Sequence, residues 1–408
     1  MPGLIRAARP ARMWRSRAGA VAAAAALLVA VPLAAPPALA GTVVGGPELA
    51  GRGVIVHYPA HGARRLPSVR ASAYVVADAG TGRVLAAKDP HGHFLPASTL
   101  KVLTADALMP VLKPDASVVT SGLAADVEPN KVGLVKGHAY KVSDLFQALL
   151  LISANDAAIA LAQAAGSYAK GVALMNAEAR RLQADDTVAV RPNGLNATGQ
   201  HTSAYDLALF ARQALTMREF MRIEATRTAM FPLHRRHSIE LFNQNTMLDT
   251  YRGDLGGKIG WTTASETTFI AWARRDGHTL IVTIMHCVPL TEMTIAAKLL
   301  NWGFAMDGKA APVGALVRPR PAAVAAPPAT SGPGAGLSKH PASRPGTVAP
   351  AARQHRPAGQ RPARLVQPAG FATIPVTAGI GALLLAALVA AGIVVLRRRA
   401  GGGNPPGP

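Results

Sequence analysis

The feature that most constrains this chain is a serine placed three residues before a lysine, at the start of an apolar helical pattern. The run PASTLKVLTADALM, residues 96–109, contains Ser98 and Lys101. Residues three apart share one face of a helical turn, so the hydroxyl and the amine are expected side by side. A neutral lysine can take the proton of a serine and make it nucleophilic. The pattern predicts either this catalytic pair or a helix start with a capping serine and a solvated lysine.

The net charge of +21 belongs mostly to the two ends of the chain. Residues 1–40 contain five arginines and no acid, and residues 309–408 contain twelve lysines or arginines and again no acid. The part of the chain between these ends contains the other 26 basic residues and all 22 acidic residues. A nucleic-acid-binding protein would instead carry a basic face with aromatics on a folded module. We therefore expect no nucleic-acid partner and one globular domain over residues 67–308.

Both ends carry targeting signals. The arginines of the N-terminus precede an apolar run at 18–33 and a small-residue cleavage site at 38–40, which predicts a signal peptide over 1–40 or, alternatively, an uncleaved anchor. Near the other end, an apolar stretch within 373–396 is long enough to span a bilayer, and three arginines follow it. Positive charge favours the cytoplasmic side, so 397–408 is the expected cytoplasmic tail. The sequence predicts a single-pass cell-membrane protein with its domain outside the cytoplasm.

Two segments join these signals to the domain. Residues 41–66 are expected to form an N-terminal linker. Residues 309–372 are rich in proline and alanine, carry scattered basic residues and have almost no aromatics. Such a composition cannot bury enough apolar surface to fold, so we expect a disordered, basic stalk.

The order of patterns along the domain predicts a mixed α/β fold of the α+β kind. Two strand-like runs flank the turn at 79–82, and Asp276-Gly277 is a strong hairpin turn between two later runs. Helical patterns fill 142–165 and 204–215, and an amphipathic helix at 291–304 closes the domain. Strands at both ends with helices between them predict an antiparallel sheet covered by helices. The only cysteine, Cys287, lies in an apolar run and is expected to be buried.

Two further motifs stand out within the domain. Ser153-Ala154-Asn155 falls at a break between helices, where a hydroxyl and an amide could face a cleft or could simply cap the second helix. In the run GGKIGWTT at 256–263, two glycines precede a predicted strand that carries Lys258. Glycines there would let a ligand approach the strand edge, although an ordinary turn with a solvated lysine fits the same letters.

In the order SxxK, SxN and KxG, the three motifs resemble those of the serine penicillin-binding enzymes and serine β-lactamases. The longer runs around them, including YKVSDLFQALLLISANDAA and PNGLNATGQHTSAYDLALFAR, are similar to the D-alanyl-D-alanine carboxypeptidase branch over about residues 68–306. The resemblance implies a DD-peptidase-like sheet with an inserted helical cluster. It implies a peptidoglycan stem peptide ending in D-Ala-D-Ala as substrate, β-lactams as covalent inhibitors, and no cofactor.

The resemblance also assigns roles to individual residues. Ser98 would attack the carbonyl between two D-alanines, Lys101 would be its base, and Ser153 would relay the proton to the leaving amine. The substrate-binding set that it implies is Asn155, Lys258, Gly260, Trp261 and Thr262, with an oxyanion hole from the backbone N–H groups of Ser98 and Trp261. No metal is expected, since His91 and His93 lack a further cluster of ligands.

The main departure from the family pattern is Ile259, where relatives carry a threonine or serine whose hydroxyl helps to bind the terminal carboxylate. Many relatives also have an arginine after the later strand, but none occurs here from 276 to 307. Carboxylate recognition is therefore in question, while acylation is not. Two alternatives stay open: a catalytically impaired protein that binds or spaces the cell wall, and a β-lactamase, although residues 191–199 lack an acidic deacylating base.

Overall fold

The computed structural model describes residues 43–234 and 237–321. The predicted signal peptide, the transmembrane span at 373–396, the tail at 397–408 and most of the predicted stalk lie outside these ranges. Among the described residues, no helix combines the length and the apolar character needed to cross a bilayer.

The strands of the described residues form one seven-stranded sheet and two small hairpin-like pairs. The strands are β1 (Val54–Val56), β2 (Ala71–Asp78), β3 (Arg83–Lys88), β4 (Ser117–Val119), β5 (Ala139–Lys141), β6 (Thr228–His234), β7 (His237–Phe242), β8 (Asp254–Thr262), β9 (Glu266–Arg275), β10 (His278–Cys287) and β11 (Gly314–Ala315). The large sheet runs in the order β1-β3-β2-β10-β9-β8, all pairs antiparallel, and β11 also pairs with β3.

The helices lie mostly between β3 and β8 along the chain. They are α1 (Leu100–Leu108), α2 (Gly122–Ala125), α3 (Val142–Leu151), α4 (Asn155–Ala164), α5 (Tyr168–Leu182), α6 (Ala204–Ala214), α7 (Arg218–Glu224), α8 (Met247–Thr250) and α9 (Glu292–Met306). A short 3₁₀ turn, Ala97–Thr99, leads directly into α1.

The large sheet separates two apolar cores because its strands alternate their side chains between the faces. Along β2, Ala73 and Val75 belong to the core shared with α1, α3, α4 and α6. Tyr74 and Val76 belong to the opposite core, which is covered by α9. The predicted antiparallel sheet with a helical cluster is thus confirmed, and a single helix closes its other face.

Local turn chemistry correctly predicted two hairpins of the sheet, β2–β3 and β9–β10. The turn between β9 and β10 is Asp276-Gly277, with φ angles of 50° and 84°, as a hairpin turn with two left-handed residues requires. The run HSIELFNQN at 237–245 also has a strand pattern, and its first six residues form β7, which among the described residues pairs with β6 in a separate two-stranded unit. Cys287 is buried, and burial raises the pKa of its thiol to about 12.

The predicted domain limits of 67 and 308 are too narrow. Strand β1 precedes residue 67 and β11 follows residue 308, yet both pair with β3. Val313 and Leu316 are 2% and 3% exposed and belong to the core. The sequence pattern missed these pieces because strands of two or three residues are too short to show a period of their own.

Removing the chain after residue 308 is therefore expected to destabilise the domain, whereas ending it after residue 321 should not. Burying a valine or leucine contributes about 1.5–3 kcal/mol each, so loss of Val313 and Leu316 should cost about 3–6 kcal/mol. Chemical denaturation of the two truncated chains measures the difference. Equal stability of both would show that residues 309–321 add nothing to the fold.

Candidate active site

Ser98 lies in the 3₁₀ turn that precedes α1, half-buried at the wall of a cleft of about 1060 Å³. The turn is held in place by Pro96, whose carbonyl oxygen accepts hydrogen bonds from Thr99 Oγ1 at 2.6 Å and from Thr268 Oγ1 on β9 at 2.9 Å. Ala97 has a φ of 46°, an uncommon conformation for a residue with a side chain. The backbone around Ser98 is therefore fixed by contacts with the sheet.

Lys101 lies one turn further, in α1, and is completely buried. Its Nζ is 2.8 Å from Ser98 Oγ, 2.7 Å from Asn155 Oδ1 and 2.7 Å from the carbonyl oxygen of Asn193. Burial lowers the pKa of this amine well below its usual range, the charge of Lys258 lowers it further, and Asp156 partly opposes both. The alternative of a solvated lysine at a helix start is therefore wrong.

Ser153 and Asn155 come from the break between α3 and α4 and line the same cleft. Ser153 has a φ of 63°, and its buried Oγ has no hydrogen-bond partner among the described residues. Asn155 bridges two segments, since its Oδ1 meets Lys101 and its Nδ2 donates to the Glu128 carbonyl oxygen at 2.9 Å. The structure thus places the Ser153–Asn155 motif next to Ser98 and Lys101. Asn155 accepts a hydrogen bond from Lys101, and the Ser153 hydroxyl has no partner among the described residues.

Strand β8 brings the third motif past Ser98. A Cβ on Gly260 would lie 2.6 Å from the Ser98 nitrogen and 2.8 Å from the Thr99 nitrogen, so only glycine allows the strand to pass this close. The next two residues line the cleft: Trp261 is 58% exposed, and Thr262 Oγ1 is 3.2 Å from Asn196 Oδ1. The glycine accommodates the nucleophile's own backbone rather than only a ligand.

Lys258 is almost completely buried and faces an acidic residue that the sequence did not single out. Glu224 ends α7, is 1% exposed, and its Oε2 accepts a hydrogen bond from the Gly257 N–H at 3.1 Å. Burial raises the pKa of Glu224 to about 7 and lowers the pKa of Lys258 to about 8, while each charge favours the other. Lys258 Nζ also donates to the Ile259 carbonyl oxygen at 2.9 Å.

Other residues of the site also escaped the sequence patterns. The loop after α5 supplies the Asn193 carbonyl, and Arg191 and Asn196 of the same loop line the cleft. This loop lies against the Ser98 turn, since a Cβ on Gly194 would overlap the Ala97 carbonyl oxygen. Asp156 accepts hydrogen bonds from three successive backbone N–H groups, at residues 132–134. The sequence marked this loop as part of the family resemblance and as lacking an acidic base, but it did not mark Asn193, Arg191 or Asn196 as residues of the site.

The fold and the meeting of the three motifs define the class of penicillin-binding serine enzymes. More specifically, the chain belongs to the D-alanyl-D-alanine carboxypeptidase family, whose family model matches residues 60–288. The resemblance found in the sequence is confirmed, and the chain is an enzyme of this serine-type peptidase family.

Curated relatives support the same family. The D-alanyl-D-alanine carboxypeptidase DacB2 of Mycobacterium tuberculosis is 37% identical over 257 residues, which are 62% of this chain and 88% of that protein. DacD of Escherichia coli, a D-alanyl-D-alanine carboxypeptidase, is 32% identical over 253 residues, which are 58% of this chain and 64% of that protein.

Solved structures share the fold. The crystal structure of a D-alanyl-D-alanine carboxypeptidase from M. tuberculosis is 36% identical, has a TM-score of 0.60, and covers 63% of this chain and 99% of that one. A DD-transpeptidase from Streptomyces, at 24% identity and a TM-score of 0.57, covers 59% of this chain and all of its own, and supports the fold alone.

Proposed function

We propose that this protein trims peptidoglycan stem peptides as a serine-type D-alanyl-D-alanine carboxypeptidase, through an acyl-enzyme on Ser98. The observation that carries the proposal is the 2.8 Å distance from Ser98 Oγ to the Nζ of a fully buried Lys101. General bases must lie within hydrogen-bond reach of the proton that they take, and this pair does.

The hydrogen bonds of Lys101 fit a neutral amine. A neutral lysine has two N–H donors and one lone pair, and the two partners that can only accept are Asn155 Oδ1 and the Asn193 carbonyl. With the two N–H groups used there, the lone pair is directed at the Ser98 hydroxyl. A charged ammonium would donate to all three oxygens, but burial and the charge of Lys258 lower the pKa of Lys101 and disfavour that form.

In the proposed reaction, Ser98 Oγ forms a bond to the carbonyl carbon of the penultimate D-alanine as its proton moves to Lys101. The N–H groups of Ser98 and Trp261 receive the developing negative charge, a role supported by the close passage of β8 at Gly260. The C–N bond then breaks as Ser153 gives its own proton to the leaving amine and takes up the proton that Lys101 received from Ser98. Its buried, unpaired hydroxyl in the cleft is suited to such a relay. Water finally hydrolyses the ester.

Substrate binding is assigned to the rim of the cleft. Trp261, Thr262 and Asn155 line it, and Lys258 supplies a positive potential for an anionic peptide end. The β-lactams would acylate Ser98 in the same way as the peptide and remain bound for long, because the loop at 191–199 offers no acidic base for their release.

The test is to incubate the full-length protein with a pentapeptide muropeptide and a fluorescent penicillin in parallel. Released D-alanine together with covalent labelling supports the proposal. Labelling without D-alanine release would support the alternative of an impaired enzyme that binds or spaces the cell wall. Absence of both would favour a purely structural protein and contradict the proposal.

The specific observation that favours impairment is Ile259. Its half-buried side chain lines the cleft and also packs against the core beneath α9. No hydroxyl is therefore present at the position where, by the family resemblance, the terminal carboxylate of the substrate would be bound. We infer a slow carboxypeptidase whose acylation machinery is otherwise complete.

Ile259→Thr is expected to raise turnover of peptides with a free terminal carboxylate. One hydrogen bond to a charged group contributes about 1.5–3 kcal/mol, so kcat/KM should rise about 10- to 150-fold. The gain should be small for peptides with an amidated terminus. The measurement is kcat/KM for the matched pair of peptides.

The control for this change is Ile259→Val, which has the shape of threonine without its hydroxyl. Valine should leave both peptides close to the parent rate. An equal gain from valine and threonine would mean that Ile259 acts through strand packing, and no gain from either would mean that the carboxylate is bound elsewhere.

We also propose that the enzyme acts outside the cytoplasm, anchored by a span at 373–396. The support is the N-terminal arginine-rich apolar pattern and the three arginines at 397–399. Fractionation of cells expressing the chain with and without residues 373–396 tests the anchor, and release only of the shortened chain is expected.

A further inference from the structure

Asp156 directly follows the Ser153–Asn155 motif and lies in the first turn of α4, completely buried. Four backbone N–H groups, those of residues 132–134 and 157, donate hydrogen bonds of 2.8–3.0 Å to its two carboxylate oxygens. Hydrogen bonds to a charged group are the strong ones, and the first turn of a helix favours a negative charge. The carboxylate therefore joins the segment 132–134 firmly to the start of α4.

The segment bound by Asp156 also forms a wall of the cleft. Residues 128–130 line the cleft and come just before the N–H groups that Asp156 binds. The carbonyl oxygens of residues 128 and 130 accept hydrogen bonds from Asn155, the first from Nδ2 at 2.9 Å and the second from the backbone N–H at 2.8 Å. The Oδ1 of the same asparagine lies 2.7 Å from Lys101 Nζ. A continuous series of contacts thus joins Asp156 to the amine beside the nucleophile.

The position of this segment decides which atom Asn155 turns toward Lys101. An asparagine amide can present its oxygen or its NH₂ group, and the surrounding hydrogen bonds set the choice. The Glu128 carbonyl oxygen can only accept, so it requires the NH₂ group on its side and leaves the oxygen for Lys101. If the segment moved away, the amide could turn. An NH₂ group facing Lys101 would then compete for the lone pair that takes the Ser98 proton.

We propose that Asp156 is a positioning residue for acylation. It binds the segment 128–134 to α4, and this segment fixes the Asn155 amide so that the lone pair of Lys101 stays directed at Ser98. The inference rests on the proposed function, because it takes Lys101 as the base for Ser98. Asp156 acts through other residues, since it is not among the described residues that line the cleft.

The charge of Asp156 acts on the same amine. Burial and the charge of Lys258 on β8, which is favoured by Glu224 on α7, lower the pKa of Lys101, whereas the charge of Asp156 raises it. Loss of the Asp156 charge should therefore lower the pKa of Lys101 further. A change that only loosened the fold would not move the pH at which Lys101 takes up a proton, so the pH dependence of acylation separates the two roles.

The experiment measures acylation of the full-length protein by a saturating fluorescent penicillin in stopped flow, over a range of pH. In Asp156→Asn the limiting rate should fall about 10- to 100-fold, the scale of the loss when a reacting group is displaced by up to about 1 Å. The acid limb of the pH profile should move to lower pH. In an Asn155→Ala background the same substitution should reduce the rate much less, because the step through the amide is already lost.

The matched control is Asp78→Asn. Asp78 is also a buried carboxylate, 5% exposed, whose Oδ1 accepts a hydrogen bond from the Thr81 N–H at 2.6 Å, and it is not among the described residues that line the cleft. This variant should lose stability but keep the parent acylation rate and the parent acid limb. Asp156→Ser, which removes the charge and keeps one acceptor, should behave like Asp156→Asn and decides where the asparagine variant does not fold.

Two results would overturn the role of Asp156 while penicillin labelling leaves the proposed function intact. One is an acid limb that stays in place in a folded Asp156 variant. The other is an equal loss of rate in the parent and Asn155→Ala backgrounds, which would mean that Asp156 only stabilises the fold. Absence of labelling in the parent protein would instead contradict the proposed function, and with it any role of Asp156 in acylation.

Discussion

Ser98→Ala is expected to abolish covalent labelling by penicillin and to reduce D-alanine release by about 10⁴- to 10⁶-fold, the usual loss when a serine enzyme is deprived of its nucleophile. The fold should be unaffected, because Lys101 is the hydrogen-bond partner of the Ser98 hydroxyl among the described residues and the turn is held by Pro96 and Thr268. Mass spectrometry of the penicillin-treated protein measures the adduct, and thermal unfolding measures the fold.

A suitable control for this variant is Ser167→Ala. Ser167 caps α5 by accepting a hydrogen bond from the Lys170 N–H at 3.0 Å, and it is not among the described residues that line the cleft. Its loss should cost about 0.5–2 kcal/mol of stability and leave labelling intact. The two variants thus separate catalysis from stability. Ser98→Ala should lose the penicillin adduct and keep its stability, whereas Ser167→Ala should lose some stability and keep the adduct. A penicillin adduct on the Ser98→Ala protein would overturn the assignment of the nucleophile.

The parts of the site that the sequence predicted are those set by local spacing. Ser98 and Lys101 share a helical turn, so three residues of separation are enough to bring their side chains together. Ser153 and Asn155 are likewise fixed by a helix break that is visible in the sequence. The hairpin at Asp276-Gly277 depends on two residues that tolerate left-handed φ angles.

The parts that the sequence did not predict are set by contacts between distant segments. Asn193 accepts the hydrogen bond of Lys101 through its backbone carbonyl oxygen. Every residue type has this group, so the amino-acid sequence cannot identify the position. Glu224 ends an ordinary helix and interacts with Lys258 only because β8 passes it at Gly257. The glycines of that strand predict space for a ligand, whereas Gly260 is required by the backbone of Ser98 itself. Strands β1 and β11 derive their stability from β3 and not from their own sequences.

Lys101→Met is expected to reduce the acylation rate by about 10²- to 10⁴-fold, the range that positioned proton transfer contributes. Methionine fills much of the same buried volume but cannot accept the Ser98 proton. In the parent enzyme the neutral form of Lys101 is the active one, so acylation should fall as the pH drops through its lowered pKa. That acid limb should be missing from the residual rate of the variant. Stopped-flow acylation over a range of pH, with thermal unfolding at each pH, measures both.

Lys101→Arg distinguishes a base from a fixed positive charge. Arginine stays protonated throughout, so it could replace a lysine that acts by its charge but not one that acts by its lone pair. We expect the arginine variant to be as slow as the methionine variant, even where its melting temperature matches that of the parent. Acylation close to the parent rate in the arginine variant would mean that Lys101 acts as a cation. The proton of Ser98 would then have to leave by another route, for which Ser153, with its unpaired hydroxyl in the same cleft, is the candidate.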